Sequence, residues 1–246
     1  MSLEKQYEAL EKEFIKCRDL KEITIDESNE NFISLSKLNH SNIKIRYEKF
    51  DMLNHFNGEM IVRFSVAKKI INIANYLKEN HSQLALIIVY GYRTDEIQKK
   101  YFFKYLRIIE EDYPWIEDKD ELYELAHMGV ACPNVAGHPT GGAVDVALYD
   151  LKKDKYLDMG AKILDYTNSK ISYTYSPEIN KNHKKNRMFL KKLMENENFA
   201  PYLGEWWHFS YGDREWAKYY NTPKAFYQKI THEEVKVVQF HHVIVG

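Results

Sequence analysis

Residues 137–148 read GHPTGGAVDVAL, a histidine ahead of paired glycines and then an aspartate, Asp145, between Val144 and Val146. The alternation predicts a strand over 143–149, with Ala143, Asp145 and Ala147 on one face and Val144, Val146 and Leu148 on the other. Gly141 and Gly142 free the backbone to turn sharply after His138. A strand this apolar is buried. Its carboxylate therefore needs a cation, a hydrogen-bond cage or a metal to offset desolvation. The alanines beside Asp145 leave room for an ion or a ligand.

Around this strand, helices and strands alternate irregularly. LALIIVYGYR (84–93) reads as a buried strand ending at Gly91. The preceding GEMIVRFSVAKKIINIANYLKENH (58–81) sets Phe64, Ala67, Ile70, Ile71, Ala74 and Leu77 at helical spacing, a core-facing helix. Thr94 is placed to cap a helix running to about Ile109, with Asp95 and Glu96 in its first turn and Ile97, Tyr101, Tyr105 and Ile108 as its apolar stripe. A short helix is expected at 3–16, irregular chain over 20–42, and mostly loop over 112–141, which holds Pro114, Pro133 and Pro139. Further on come a helix over 186–197, an aromatic strand EWWHFSY (205–211) and a late strand EVKVVQFHHVIV (234–245). Several connections are too long for a repeating βαβ pattern. The expected fold is α+β, with a mainly antiparallel central sheet flanked by helices. One domain spans 1–246, with a helical N-terminal extension over 1–42.

Composition narrows the function. The 246 residues are 44% hydrophobic, enough for one sizeable core. Lys+Arg 35 against Asp+Glu 36 gives a formal charge of -1, so no basic footprint for nucleic acid or an anionic membrane surface exists. Aromatics at 14% favour packed sheet and aromatic-lined pockets. Two cysteines, Cys17 and Cys132, make no disulfide framework and suit a reducing cytoplasm. The N-terminal MSLEKQYEALEKEFIKC has no apolar signal core and no stretch is long enough to span a membrane. A cytoplasmic protein is expected, or a periplasmic one if a leader has been removed.

GEWWHFSYGD (204–213) completes the chemistry. Glu205 and His208 flank two tryptophans. Residues three apart on a regular strand point to opposite faces, so both reach one site only if the chain turns near Glu205, beside Gly204. The tryptophans shield such a site from water and strengthen charge interactions inside it. His138, Asp145 and His208 then supply two imidazoles and a carboxylate, a three-ligand catalytic zinc set with a fourth position for water. Glu205 remains as general base for that water. A histidine and an aspartate seven residues apart are common without a metal; the two stretches together carry the reading.

At these residues the chain resembles the D-alanyl-D-alanine dipeptidases (VanX-type), zinc D,D-peptidases that share a fold with the hedgehog signalling domain. The family pattern Ser-x-His-x-x-Gly-x-Ala-x-Asp appears as Ala136-Gly-His138-Pro-Thr-Gly141-Gly-Ala143-Val-Asp145, and Glu-x-x-His as Glu205-Trp-Trp-His208. Gly91-Tyr92-Arg93 matches the family's arginine turn, and FSYGDREWA resembles the dipeptidase branch. The likeness covers roughly 43–220. It implies that His138, Asp145 and His208 bind one Zn²⁺ per chain, that Glu205 is the catalytic base and that Arg93 stabilises the developing oxyanion. It also implies free D-Ala-D-Ala as substrate, split by a Glu-activated, zinc-bound water into two D-alanines. Ala136 replaces the motif serine and Thr94 stands where proline is expected, which bears on the peptide that fits.

Two alternatives stand beside this. One is a D,D-carboxypeptidase or endopeptidase acting on longer cell-wall peptides, the other a zinc-containing binding module without hydrolysis. Retention of a base beside the ligands favours an enzyme. His232, His241 and His242 lack a His-Glu-x-x-His spacing and read as surface or strand residues. Cys132 has no orienting partner that marks it as a nucleophile. The sequence leaves oligomeric state open.

Overall fold

The computed structural model describes residues 1–166 and 169–239. Two short helices, α1 (Leu3–Glu11) and α2 (Cys17–Lys21), are followed by the strands β1 (Thr24–Ile25), β2 (Phe32–Ser34) and β3 (Ile43–Ile45). β4 (Ile61–Arg63) leads directly into α3 (Phe64–Asn80), then β5 (Leu84–Tyr90), α4 (Asp95–Asp112) and α5 (Lys119–Gly129). β6 (Ala143–Asp150), β7 (Lys155–Tyr156), α6 (Ser169–Ser172) and α7 (Lys181–Asn196) come next. The chain continues through β8 (Ala200–Pro201), β9 (His208–Ser210), α8 (Arg214–Tyr219), β10 (Lys224–Ala225) and β11 (Val237–Val238).

The central sheet has the order β3-β5-β6-β9-β8, with β7 paired to β6. Only the β3–β5 pair in it is parallel. The architecture is thus α+β with a mainly antiparallel sheet, as expected. β5 and β6 are buried along their whole lengths, which explains why β5 reads as a continuous apolar run. α3 lays Val66, Ala67, Ile70, Ala74 and Leu77 on this sheet, each fully buried. Leu190, Leu193 and Met194 of α7 join the same core.

Several expectations are revised. The segment before α3 is not helix from its start: Ile61–Arg63 pairs antiparallel with Phe32–Ser34, so part of the 20–42 region is also strand. The first helix stops at Glu11 rather than running to 16, and α2 forms separately. In place of mostly loop over 112–141, α5 occupies Lys119–Gly129. Its prolines flank the helix rather than interrupt it, and the Asp118 carboxylate accepts the Asp120 N–H at 2.9 Å. α7 begins at Lys181, five residues earlier than expected, because Asn180 accepts the backbone N–H groups of Asn182 and His183.

Thr94 does cap α4, its hydroxyl accepting the Ile97 N–H at 3.4 Å. The buried face of α4 is one residue out of phase with the expected stripe, however: Gln98, Phe102, Leu106 and Ile109. Tyr101, Tyr105 and Ile108 instead line a cavity, where a tyrosine ring packs while its hydroxyl stays among polar groups. The aromatic strand contracts to His208–Ser210, and the late strand to Val237–Val238 beside β2. His241 and His242 lie outside the described residues. His232 sits in a 3-10 turn, its ring 5.0 Å from that of His55. Among the described residues, no helix is long and apolar enough to cross a membrane.

Candidate active site

The register of the central sheet assembles the site. Asp145 on β6 lies directly opposite Tyr90 of β5 on one side and His208 of β9 on the other. Residues paired in this way project from the same face, so the carboxylate and the His208 imidazole meet without help from loops. His208 Nδ1 is 3.0 Å from Asp145 Oδ1.

His138 arrives from the 3-10 turn His138–Thr140 just before β6. Gly141 ends that turn at φ 75, in the left-handed region, and a Cβ there would lie 2.2 Å from the Phe32 ring. The turn swings His138 back over Asp145. Its Nδ1 donates to the Gly91 carbonyl at 2.7 Å, which fixes the tautomer and leaves Nε2 facing Asp145 Oδ2 at 3.3 Å.

Glu205 and His208 meet the same pocket because the chain does turn between them. The His208 N–H donates to the Glu205 carbonyl at 3.2 Å, and the strand begins only at His208. Trp206 and Trp207, between them in sequence, are buried edge to face in the core, 5.3 Å apart. Both Glu205 and His208 line a cavity of about 270 Å³ together with Arg93, His138, Asp145, Tyr166, Tyr202 and Glu215.

Arg93 enters from the end of β5. Its Nη1 donates to Gln98 Oε1 at 2.9 Å, and Gln98 Nε2 donates to the Ala131 carbonyl at 2.8 Å. The guanidinium stacks on the Tyr90 ring at 4.3 Å and lies near Tyr101 at 5.2 Å. Its Nε is buried without a hydrogen-bond partner among the described residues. A buried cation held on one edge keeps donors for something entering the cavity.

Electrostatics separate the roles of these groups. Burial pushes His138 down to about 4, against the pull of Asp145. Burial also acts to lower His208, but the Asp145 hydrogen bond and the Glu215 charge outweigh it and raise the imidazole to about 9. Asp145 stays below the usual carboxylate range, because the two imidazoles overcome its burial. Burial lifts Glu205 to about 7. One carboxylate is thus held ionised while the other is poised to exchange a proton near neutrality.

The three-residue set fits a metal ion. The ligand atoms of His138, Asp145 and His208 all lie within 4.8 Å of one another, and all three residues are buried. Their 3.0–3.3 Å contacts match the roughly 3.3 Å separation of donors around a tetrahedral ion with bonds of about 2.0–2.1 Å. Two imidazoles and a carboxylate are a borderline donor set that suits Zn²⁺. The carbonyl partner of His138 Nδ1 is the outer-sphere contact that orients a ligating histidine.

Two contributors escape a reading of the sequence. Glu215, on the first turn of α8, is buried, with Oε2 3.9 Å from His208 Nε2, and its burial lifts the carboxyl to about 8. Gln98 looks like a helix-surface residue but is 1% exposed and holds Arg93. The only signal for either was a polar residue at a helical position whose neighbours are aromatic.

Strand register and turn geometry place a histidine–carboxylate–histidine set and a buried glutamate in one cavity, a layout that suits a peptidase. The family comparison agrees. Residues 53–230 match the model described as D-ala-D-ala dipeptidase, and the chain belongs to that family. It is 32% identical over 130 residues to a D-alanyl-D-alanine dipeptidase of Synechocystis sp., covering 47% of this chain and 52% of that protein. Another of that name, from Enterococcus faecium, is 30% identical over 111 residues, covering 45% of this chain and 52% of the relative. The chain thus spans about half the length of the curated relatives it matches. Among solved structures, VanYB in complex with D-Alanine-D-Alanine aligns with a TM-score of 0.38 at 15% identity, over 78% of this chain and 92% of that one.

Proposed function

We propose that the protein is a zinc peptidase that hydrolyses free D-Ala-D-Ala to two D-alanines. The observation that carries this reading is the meeting of Glu205 with His138, Asp145 and His208 in one cavity beside a buried arginine. His138 Nε2, an Asp145 oxygen and His208 Nδ1 would hold one Zn²⁺ per chain. When bound, the ion supplies a Lewis acid that lowers the pKa of water and polarises the scissile carbonyl.

Glu205 performs the proton transfers. Its carboxylate takes a proton from the water that attacks the peptide carbonyl and delivers it to the departing amine. A group lifted to about 7 suits both halves of that transfer. Arg93 faces the carbonyl oxygen that gains charge during attack. Held by Gln98 and stacked on Tyr90, it needs no reorganisation at that moment. The buried Trp206 and Trp207 keep the proton transfer out of bulk water.

Support for a short substrate comes from the cavity, about 270 Å³, and from the small residues Ala136 and Gly137 in its lining. A pocket that pairs the substrate's free ammonium would leave its acceptors unpaired against a blocked or extended amino end, which can discriminate by about 10⁴-fold. The test is a panel of D,D- and L,L-dipeptides, an N-acylated dipeptide and a pentapeptide ending in D-Ala-D-Ala, incubated with zinc-loaded protein and read out as free amino acids. Release of D-alanine from D-Ala-D-Ala at a higher kcat/KM than from the blocked and extended peptides supports the reading. Equal or faster cleavage of the pentapeptide points to a carboxypeptidase, and no cleavage at all to a binding module.

A further inference from the structure

A second cluster of reactive side chains lies outside the proposed zinc site, in the small core between α2, α4 and α5. Cys17 opens α2 and Cys132 follows α5; both are at most 2% exposed. Their sulfurs and an imidazole nitrogen of His127 all lie within 4.8 Å of one another. The Cys132 thiol points its proton at the Tyr123 carbonyl, 3.9 Å away. The Glu124 carboxylate fixes the approach, accepting the backbone N–H groups of Cys17 and Arg18, each at 2.8 Å.

Two buried thiols beside a histidine can serve as metal ligands or as the halves of a disulfide, and His127 decides between them. Its Nδ1 accepts the Cys132 backbone N–H at 3.0 Å. With Nδ1 an acceptor, the proton sits on Nε2, so neither nitrogen keeps a lone pair for an ion. The two sulfurs alone fall short of the four donors of a structural zinc site.

We propose that Cys17 and Cys132 are an oxidation site, forming an intramolecular disulfide when the protein meets hydrogen peroxide. Cys17 is the attacking sulfur: the neighbouring Cys132 thiol, followed by the charge of Lys21, holds its thiol below the ordinary value despite burial. The neighbouring Cys17 sulfur and burial push Cys132 up, as suits the resolving thiol. The Cys17 thiolate attacks one peroxide oxygen, the O–O bond breaks, and the departing hydroxide takes a proton to leave as water. The Cys132 sulfur then attacks the Cys17 sulfenic acid, its S–O bond breaks, and a second water leaves with the Cys132 proton. Two thiols and one peroxide become one disulfide and two waters. Hydrogen peroxide is little larger than water, and a five-residue helix such as α2 opens locally at little cost.

The bond has a consequence for the cavity. Ala131, next to Cys132, lines it, and its carbonyl anchors the Gln98 that holds Arg93. Oxidation ties α2 covalently to that wall and closes a long loop, which restricts the unfolded chain.

The experiment exposes the reduced full chain to a few equivalents of hydrogen peroxide and counts thiols after denaturation, with non-reducing peptide mapping. Both thiols are expected to disappear together, giving a Cys17–Cys132 linked peptide in a monomer. The melting temperature should rise by about 5 °C or more, reversibly with dithiothreitol, and Cys17→Ser should show no rise. Survival of both thiols, linkage only between chains, or overoxidation of one cysteine without linkage overturns the proposal. So does a metal equivalent that is lost on Cys17→Ser, which would assign the cluster to an ion. None of these readouts depends on peptidase activity, so failure here and failure of the zinc peptidase reading are distinguishable.

Discussion

Glu205 differs from the other carboxylates of the cavity in what holds it. Asp145 is pinned between two imidazoles, whereas Glu205 faces the cavity with its pKa lifted to about 7. Glu205→Gln keeps the shape and removes the proton acceptor. It should bind zinc normally and lose kcat by about 10²–10⁴-fold, checked by metal analysis and turnover on the same sample. Near-normal turnover in metal-replete Glu205→Gln would remove the base role. Alanine at His138, Asp145 or His208 should instead empty the site of metal, each variant retaining well under one equivalent of zinc by elemental analysis. Normal zinc content in all three would sink the ligand assignment. If the guanidinium acts, as proposed, on charge that develops only during attack, Arg93→Ala should lower kcat more than it raises KM, by about 10²–10³-fold. An effect confined to KM would make Arg93 a clamp for the substrate's carboxylate instead.

At the scale of elements, one short connection decides whether His138 reaches the ligand atoms of β6. The turn ending at Gly141 carries His138 over β6 and has no room for a side chain. Gly141→Ala combines a left-handed φ with a clash against Phe32, so it should destabilise the fold by about 1–3 kcal/mol or more in denaturant titration. An unchanged midpoint would show that the turn rearranges freely. α5 carries a different sensitivity. His127 in its last turn is 4% exposed, and burial holds it at about 4, against an ordinary value near 6.5. The fold favours the neutral ring, so this contribution is fully present above about pH 6.5. As pH falls from there towards 4, the unfolded chain takes up the proton first and stability declines by up to about 3 kcal/mol. His127→Gln keeps an acceptor and a donor without a titrating group. Its stability should depend less steeply on pH over that window than the wild type's, and parallel slopes would exclude the contribution.

For the molecule as a whole, a zinc ion bridging the turn before β6, β6 itself and β9 would bind only the folded sheet. Saturating zinc should therefore stabilise by about 4 kcal/mol at a thousandfold excess over Kd, and a chelator should reverse the gain. A melting temperature indifferent to both would show that the three groups do not hold an ion in the native state. What the sequence alone determines is local. Alternation along 143–149 gives the face of Asp145, the paired glycines give the turn, and Gly204 with Glu205 and His208 foretells a bend in the aromatic run. In each case the deciding interactions lie within a few residues, so spacing carries geometric information. The phase of α4 was not legible, because Tyr101, Tyr105 and Ile108 are as apolar as a core face and only the neighbours of the helix show that they border a cavity. α5 was hidden by prolines that turn out to flank it. The tertiary structure alone decided that Gln98 holds Arg93, that Glu215 approaches His208, and that Cys17 meets Cys132. Each of these pairs is made by packing between elements rather than along one, and burial then sets the chemistry: water withdrawn from a carboxyl or thiol changes its proton affinity, and no pattern in the chain records where that withdrawal will occur.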